Sequence, residues 1–232
     1  MEAKVGLRTW LGIKKKNSLK RAPFYNAHSF SQLQQNRWVL SELANKGGGF
    51  FVEIGAFDGK KLSNTYLLEK EFGWTGILVE PNPTQHQAIR SNRSAVLDTR
   101  PVDARSGVTV TMRFVSEVPE LSSMASKAHL DKHAEARSRD SIEIDQETVS
   151  LVELLEQHNS PENIDYISID TEGNEFDILS TFDFLRYQVR LFSVEHNHTS
   201  AEHKIDSLME ERGYKRVFRE LSQFDAWYKR KE

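Results

Sequence analysis

The sequence contains no cysteine, and that absence removes disulfides, thiolate catalysis and cysteine-ligated zinc together. A cytoplasmic setting fits it. Long hydrophobic runs are missing too: uncharged apolar stretches such as residues 49–52 and 76–79 fall far short of the roughly 20 residues that cross a bilayer. No transmembrane segment is therefore expected. No apolar run of about 7–15 residues follows the first basic residues, which argues against a cleavable secretory signal. The formal net charge is only −3, whereas nonspecific nucleic-acid affinity needs a strongly basic face.

What is present suits a globular chain. Hydrophobic residues make up 38% and charged residues 28% of 232, enough for one substantial core and too few residues for two comfortable domains. Charge is uneven. Lys4, Arg8, Lys14, Lys15, Lys16, Lys20 and Arg21 crowd the N-terminus with Glu2 as the only acid among them. Residues 1–29 read as a solvated basic arm, with contact to an anionic partner or membrane surface as the functional alternative. Residues 30–232 read as one domain.

Within that domain, strand-like and helix-like patterns alternate, the signature of βαβ units around a parallel sheet. A helix is predicted over 31–44, where Ser31 and Gln34 have capping-box spacing and Leu33, Val39, Leu40 and Leu43 form an apolar side. Strands follow at 50–54 and 77–80, separated by a helix that Ser63 caps and Gly73 ends. A weakly periodic helix is expected over 83–92, a third strand within 95–103, and an antiparallel or edge strand over 108–115. Residues 116–140 lack periodicity and read as a long loop or variable insert. Further strands fall at 142–144, 164–169 and 189–194, with helices over 149–158, 175–185 and 201–212. Segments 214–218 and 224–228 close the chain as a hairpin. The pattern specifies a doubly wound, mostly parallel α/β sheet with a C-terminal antiparallel hairpin.

The turn after the first strand has the form E-x-G-x-x-x-G, from Glu53 through Gly55 to Gly59, which lets backbone pass close to a ligand. Glu80 ends the next strand, 21 residues beyond Gly59. A carboxylate at that spacing can grip ribose hydroxyls, because it only accepts hydrogen bonds. Nicotinamide dehydrogenases favour G-x-G-x-x-G with a third glycine at the pyrophosphate. This chain lacks that glycine, and Asp58 would repel a diphosphate while tolerating a sulfonium and an ammonium.

Four blocks carry a specific resemblance: Phe51-Val52-Glu53-Ile54-Gly55-Ala56-Phe57-Asp58-Gly59, then Leu62-Ser63-Asn64-Thr65-Tyr66, then Gly73-Trp74-Thr75-Gly76-Ile77-Leu78-Val79-Glu80-Pro81-Asn82-Pro83, then Ile164-Asp165-Tyr166-Ile167-Ser168-Ile169-Asp170-Thr171-Glu172-Gly173. Matching blocks span residues 31–198, and together the chain resembles the FkbM-type methyltransferase family. The resemblance implies a Rossmann-like class I fold using S-adenosyl-L-methionine, mostly for O-methylation of sugars or natural products. It places Glu53, Gly55 and Gly59 on the methionine side of the cofactor and Glu80 on the ribose. Ala56, Asp58, Ser63 and Pro81 lie within the same blocks and join the cofactor candidates. Asp103 falls near the adenine, with Asp98 an equally good strand-end acid. No family block covers 116–140.

Reacting groups in an open α/β sheet gather at the carboxyl ends of strands. Asp170-Thr171-Glu172-Gly173 and Glu195-His196-Asn197-His198 should therefore face one crevice. Methyl transfer to oxygen needs alignment and removal of a hydroxyl proton. Asp170, Glu172, Glu195 and His196 are the catalytic candidates, His196 because it titrates near neutrality, and Asp170 also belongs to the cofactor set. Asp170, Glu195 and His196 are hard donors suited to Mg²⁺ or Mn²⁺. His129 and His133 share a helical spacing but lack the glutamate of an H-E-x-x-H zinc site. The four tryptophans are scattered and read as packing residues. The expected partner is a small-molecule or saccharide acceptor. A nicotinamide-dependent reductase and a non-catalytic cofactor- or partner-binding module are the competing readings.

Overall fold

The computed structural model describes residues 20–115, 123–124 and 141–232. Most of the basic arm, Trp10, His129, His133 and nearly all of the 116–140 insert lie outside them. In chain order the strands are β1 (Phe50–Ile54), β2 (Thr75–Val79), β3 (Val96–Asp98), β4 (Val102–Asp103), β5 (Thr109–Val115), β6 (Ser123–Met124), β7 (Ser141–Glu147), β8 (Val149–Ser150), β9 (Asn163–Ile169), β10 (Gln188–Glu195), β11 (Tyr214–Val217) and β12 (Asp225–Arg230). The helices are α1 (Gln35–Glu42), α2 (Tyr66–Phe72), α3 (His86–Asn92), α4 (Leu151–Gln157), α5 (Glu175–Ser180) and α6 (Ala201–Glu211).

Seven strands form the main sheet in the order β3-β2-β1-β9-β10-β12-β11. The pairs from β3 to β10 are parallel, and β12 runs antiparallel to both its neighbours. Buried on both faces, these strands read as continuous apolar runs, and period-two alternation splits them between two cores. Val52, Ile54, Ile77, Val79, Ile167 and Ile169 pack with residues of α4, α5 and α6. Phe51, Leu78 and Tyr166 pack the other face with α1, α2 and α3. Trp38, Trp74 and Trp227 are fully buried packing residues, Trp38 stacking on Trp227 at 5.0 Å.

Three expectations need correction. The first helix begins at Gln35, because Gln34 sits at φ 71 and Ser31 instead bridges Leu62 while its Oγ accepts from Asn36 N–H. Phe24, placed by sequence in the arm, is buried against Phe218 and Trp227, so the packed region extends N-terminal of residue 30. Of the antiparallel and edge alternatives for 108–115, the strand takes the first and is no edge of the main sheet. It is the centre of a separate three-stranded sheet, β6-β5-β7, and β6 comes from within the insert.

Candidate functional site

Chain direction reverses its order along the sheet between β1 and β9, since β1 leads outward to β2 and β3 while β9 lies on its other side. At such a switch point the loops part and leave a crevice beyond the strand ends. The cleft here has a volume of about 430 Å³, within the range of small-molecule sites. Turns after β1, β2, β9 and β10 supply its floor through Gly55, Glu80, Asp170 and Glu195. Met112, Phe114 and Met124 of the small sheet also line it.

Gly55 is glycine for a reason internal to the protein. It holds φ +86, and a Cβ there would lie 2.1 Å from the Asp170 carbonyl oxygen, so the close approach that excludes a side chain is to β9 backbone rather than to a ligand. The N–H groups of Gly55 and Ala56 both donate to Val79 O at 3.0 Å. Gly59, at φ +78, does not line the cleft among the described residues; its missing Cβ makes room for Arg93 and Ile89.

Glu80 is held by backbone. Its Oε2 accepts from Phe57 N–H and its Oε1 from Asn82 N–H, both at 2.8 Å. A carboxylate offers about four acceptor positions, so each oxygen keeps capacity for a further donor. Burial pushes its carboxyl up to about 7, aided by the charge of Asp170 and opposed by the two backbone donors.

Glu53 behaves differently from expectation. Although it borders the cleft, its Oε1 accepts from Asn64 N–H, and its Oε2 accepts from Ser63 Oγ, Thr65 Oγ1 and Arg93 Nη1. Buried Arg93 also pairs with Glu69 at 2.7 Å and donates to Gly59 O. The motif's first acid is thus a fastener that shapes the β1 turn. Thr65, not Ser63, is the N-cap residue of α2, and Ser63 Oγ supports the turn from two residues earlier by accepting from Thr65 N–H at 3.2 Å and Tyr66 N–H at 3.0 Å; Asn64 Oδ1 is buried with no partner on the cleft wall.

The acids after β9 and β10 come together. Carboxylate oxygens of Asp170, Glu172 and Glu195 lie within 4.8 Å of one another, and Asn197 Nδ2 donates to Glu195 and Glu172. Water reaches Asp170 through the cleft, yet protein surrounds it elsewhere, and burial with the charges of Asp225, Glu175 and Glu53 raises its carboxyl to about 7. Glu195 is pushed well above the usual carboxylate range by burial and by Asp170 and Glu172. Two carboxyls this close and this buried raise each other's affinity for a proton, so they titrate as a coupled pair.

Other predicted residues sit elsewhere. His196 is buried away from this group, its Nε2 bonded to Asp225 O and its Nδ1 accepting from His198 N–H. Its potential metal partners are His198 and Glu202, whereas Asp170 groups with Glu172 and Glu195, so the proposed Asp170–Glu195–His196 ligand set is split. Burial, opposed by Glu202, lowers the His196 pKa. Asp58 is half-buried and caps its own turn, accepting from Lys60 and Lys61 N–H. Asp103 receives Asn174 Nδ2 at 3.3 Å and leaves the cleft to its neighbours Pro101 and Val102. Asp98 is consumed by Arg100 and His158. Sequence reasoning missed Arg93, Gln35 and Asp225. The last reaches the cleft because antiparallel β12 starts opposite the end of β10, pairing Asp225 with Glu195, and Gln35 Nε2 donates to it at 2.6 Å.

This sheet order, with a glycine turn on the first strand and a backbone-held acid after the second, defines a class I methyltransferase fold. The family model described as the methyltransferase FkbM domain matches residues 53–216, more than half of the chain, and the chain belongs to that family of S-adenosylmethionine-dependent methyltransferases. No curated protein matches it. Solved structures with similarity include a precorrin-6y C5,15-methyltransferase from Geobacter metallireducens GS-15, at 14% identity and TM-score 0.45 over 85% of this chain and 80% of that one. A ribosomal protein L11 methylase from Lactobacillus delbrueckii subsp. bulgaricus aligns at 10% identity and TM-score 0.44 over 90% and 81%. An O-methyltransferase from Bacillus cereus in complex with SAH aligns at 13% and 0.42 over 93% and 86%.

Proposed function

We propose that this protein O-methylates a hydroxyl of a sugar or glycosylated metabolite, with the Asp170–Glu195 pair as general base. The close pair of carboxyls at the strand switch point, both held above the usual carboxylate range by burial and mutual repulsion, carries the reading. A neutral hydroxyl is a poor nucleophile until its proton leaves, and a base titrating near the working pH removes it most effectively. An amine acceptor that arrives unprotonated would have less need of such a pair.

The donor set fits S-adenosylmethionine. Glu80 has acceptor capacity for ribose hydroxyls, Pro81, Pro101 and Val102 offer an apolar slot for the adenine, and the unpartnered Asn64 Oδ1 can receive the amino-acid ammonium. When bound, the cofactor supplies a methyl group on a sulfonium centre. The chain's residues do the rest: the Gly55–Phe57 turn sets the depth of the pocket, and Asp170 takes the hydroxyl proton, sharing it with Glu195. Asn197 fixes the rotamer of Glu195.

Isothermal titration of S-adenosylhomocysteine into the full chain is the first test, and failure of the folded protein to bind it overturns the assignment. A mass-spectrometric screen of neutral saccharides and glycosides for gain of one methyl group then identifies acceptors. Asp170→Asn should lower kcat by about 10²- to 10⁴-fold and abolish the limb of the pH profile near 7, with S-adenosylhomocysteine affinity changed less than about tenfold. Retention of both kcat and that limb refutes the base.

A further inference from the structure

The small sheet β6-β5-β7 has two unlike faces. On one, Thr111 bonds Asp145 at 2.7 Å and Arg113 pairs with Glu143 at 2.6 Å, a solvated surface typical of an antiparallel sheet. Residues directly opposite in an antiparallel pair share a face. By register, Met112 therefore shares the other face with Ile144 and Met124, and Phe114 with Ile142. Met112, Phe114 and Met124 are each 5% exposed and line the cleft. Ile142 is 59% and Ile144 36% exposed. One apolar surface thus begins inside the cleft and runs out of it along β7 into solvent.

Gln146 Nε2 donates to Pro81 O at 2.9 Å, anchoring the inner end of β7 over the residue that follows Glu80. Four residues of strand separate Gln146 from Ile142, about 13 Å, so the exposed stripe extends well past the adenosine end of the site. The polar floor opposite carries Glu80, Asp170, Glu172, Glu195 and Asp225, against Lys61 as the lining cation among the described residues. Such a floor disfavours anionic acceptors such as sugar nucleotides.

From this continuity we infer that the acceptor is a neutral glycoside with an apolar aglycone: the sugar hydroxyl meets the carboxyl pair while the aglycone lies along Met112, Phe114, Ile144 and Ile142. The inference rests on the O-methyltransferase reading and narrows its substrate class. Isolated exposed isoleucines need no explanation. Two on one face, in register with the buried lining of a reactive cleft, form a surface that a bound molecule of stated shape would cover.

The test uses the full chain saturated with S-adenosylhomocysteine and a series of methyl, butyl, hexyl and octyl β-glucosides below micelle concentration, with dissociation constants measured by calorimetry. A fully buried methylene would tighten binding about fourfold. On a stripe that leaves one side of the chain wet, about twofold per methylene is expected. The double variant Ile142→Asn, Ile144→Asn changes only solvent-exposed side chains and should flatten that slope while leaving S-adenosylhomocysteine affinity unchanged. A flat slope in the unsubstituted protein, or an equal slope in both proteins, overturns the inference. Sedimentation separates the remaining occupant: a dimer that the double variant dissolves assigns the stripe to self-association and overturns it too. Absence of S-adenosylhomocysteine binding would instead sink the methyltransferase reading beneath it.

Discussion

Gly55→Ala is the sharpest probe of how the cleft is built. The residue holds φ +86, and an added Cβ would meet the Asp170 carbonyl oxygen at 2.1 Å. A left-handed conformation costs an alanine about 1–2 kcal/mol. Relieving the contact requires the ends of β1 and β9 to part by about 1 Å, an overpacking cost of about 1–3 kcal/mol. It also stretches the bond from Asp170 N–H to Ile54 O, now 3.0 Å, worth about 1 kcal/mol. The sum is about 3–6 kcal/mol. For a chain of this length each kcal/mol lowers Tm by about 2–4 °C, so the expected fall is roughly 6–24 °C by circular dichroism. Gly59→Ala is the comparison: its Cβ meets Arg93 Cγ at 2.9 Å and Ile89 Cα at 3.4 Å, and no strand carbonyl at contact as short as 2.1 Å. Its cost should stay near about 2 kcal/mol, chiefly from backbone conformation. If Gly55→Ala melts within about 3 °C of the unsubstituted protein, or Gly59→Ala is the more damaging, the close approach of β1 to β9 is not what demands glycine.

Removing Arg93 should destabilise through charge. Arg93→Met leaves Glu53 buried without a cation and Glu69 with Lys70 alone, a loss of about 3–5 kcal/mol; adding Glu53→Gln to that variant should recover part of the urea midpoint, and no recovery refutes the charge argument. Cofactor discrimination should titrate. Glu80 and Asp170 carry carboxyls raised to about 7, so they are mostly neutral at pH 6 and ionised at pH 8. The preference for S-adenosylmethionine, a sulfonium cation, over neutral S-adenosylhomocysteine should grow about tenfold across that interval by calorimetry; a flat ratio refutes it. The same shifts bear on the ligand-free protein: between the unfolded value of 4.5 for Glu80 and its folded value of about 7 the native state binds more protons, so stability should decline as pH rises through that window, and a rising urea midpoint would contradict it.

The doubly wound sheet was legible because its strands are short apolar runs bounded by glycine, proline and acids, and helix α2 because Gly73 ends it and Ser63 supports the turn that enters it. The Glu80 position was legible for the same reason: its spacing from Gly59 is local to one βαβ unit. Boundaries failed where a side chain had a competing task, as with Ser31, which serves a bridge to Leu62 rather than a cap. The site failed where contact is long-range. Nothing near Arg93 in sequence announces that it will neutralise Glu53, 40 residues away. His196 looked catalytic from its place after β10, but backbone partners on both ring nitrogens turn it inward. The antiparallel character of β5 was legible in its alternation, but not the cleft that its apolar face lines, because periodicity reports two faces without saying what each one meets.

Asp225 joins the reactive cleft from a strand that lies beyond the region matched by the family model, which stops at residue 216. Of the cleft's carboxylates it leaves the ribosome last, so a nascent chain can complete the parallel strands and the cofactor turn before its acidic wall closes. The same strand brings Trp227 into the core between β10 and β11, so closing the acidic wall and completing the packed sheet are one event.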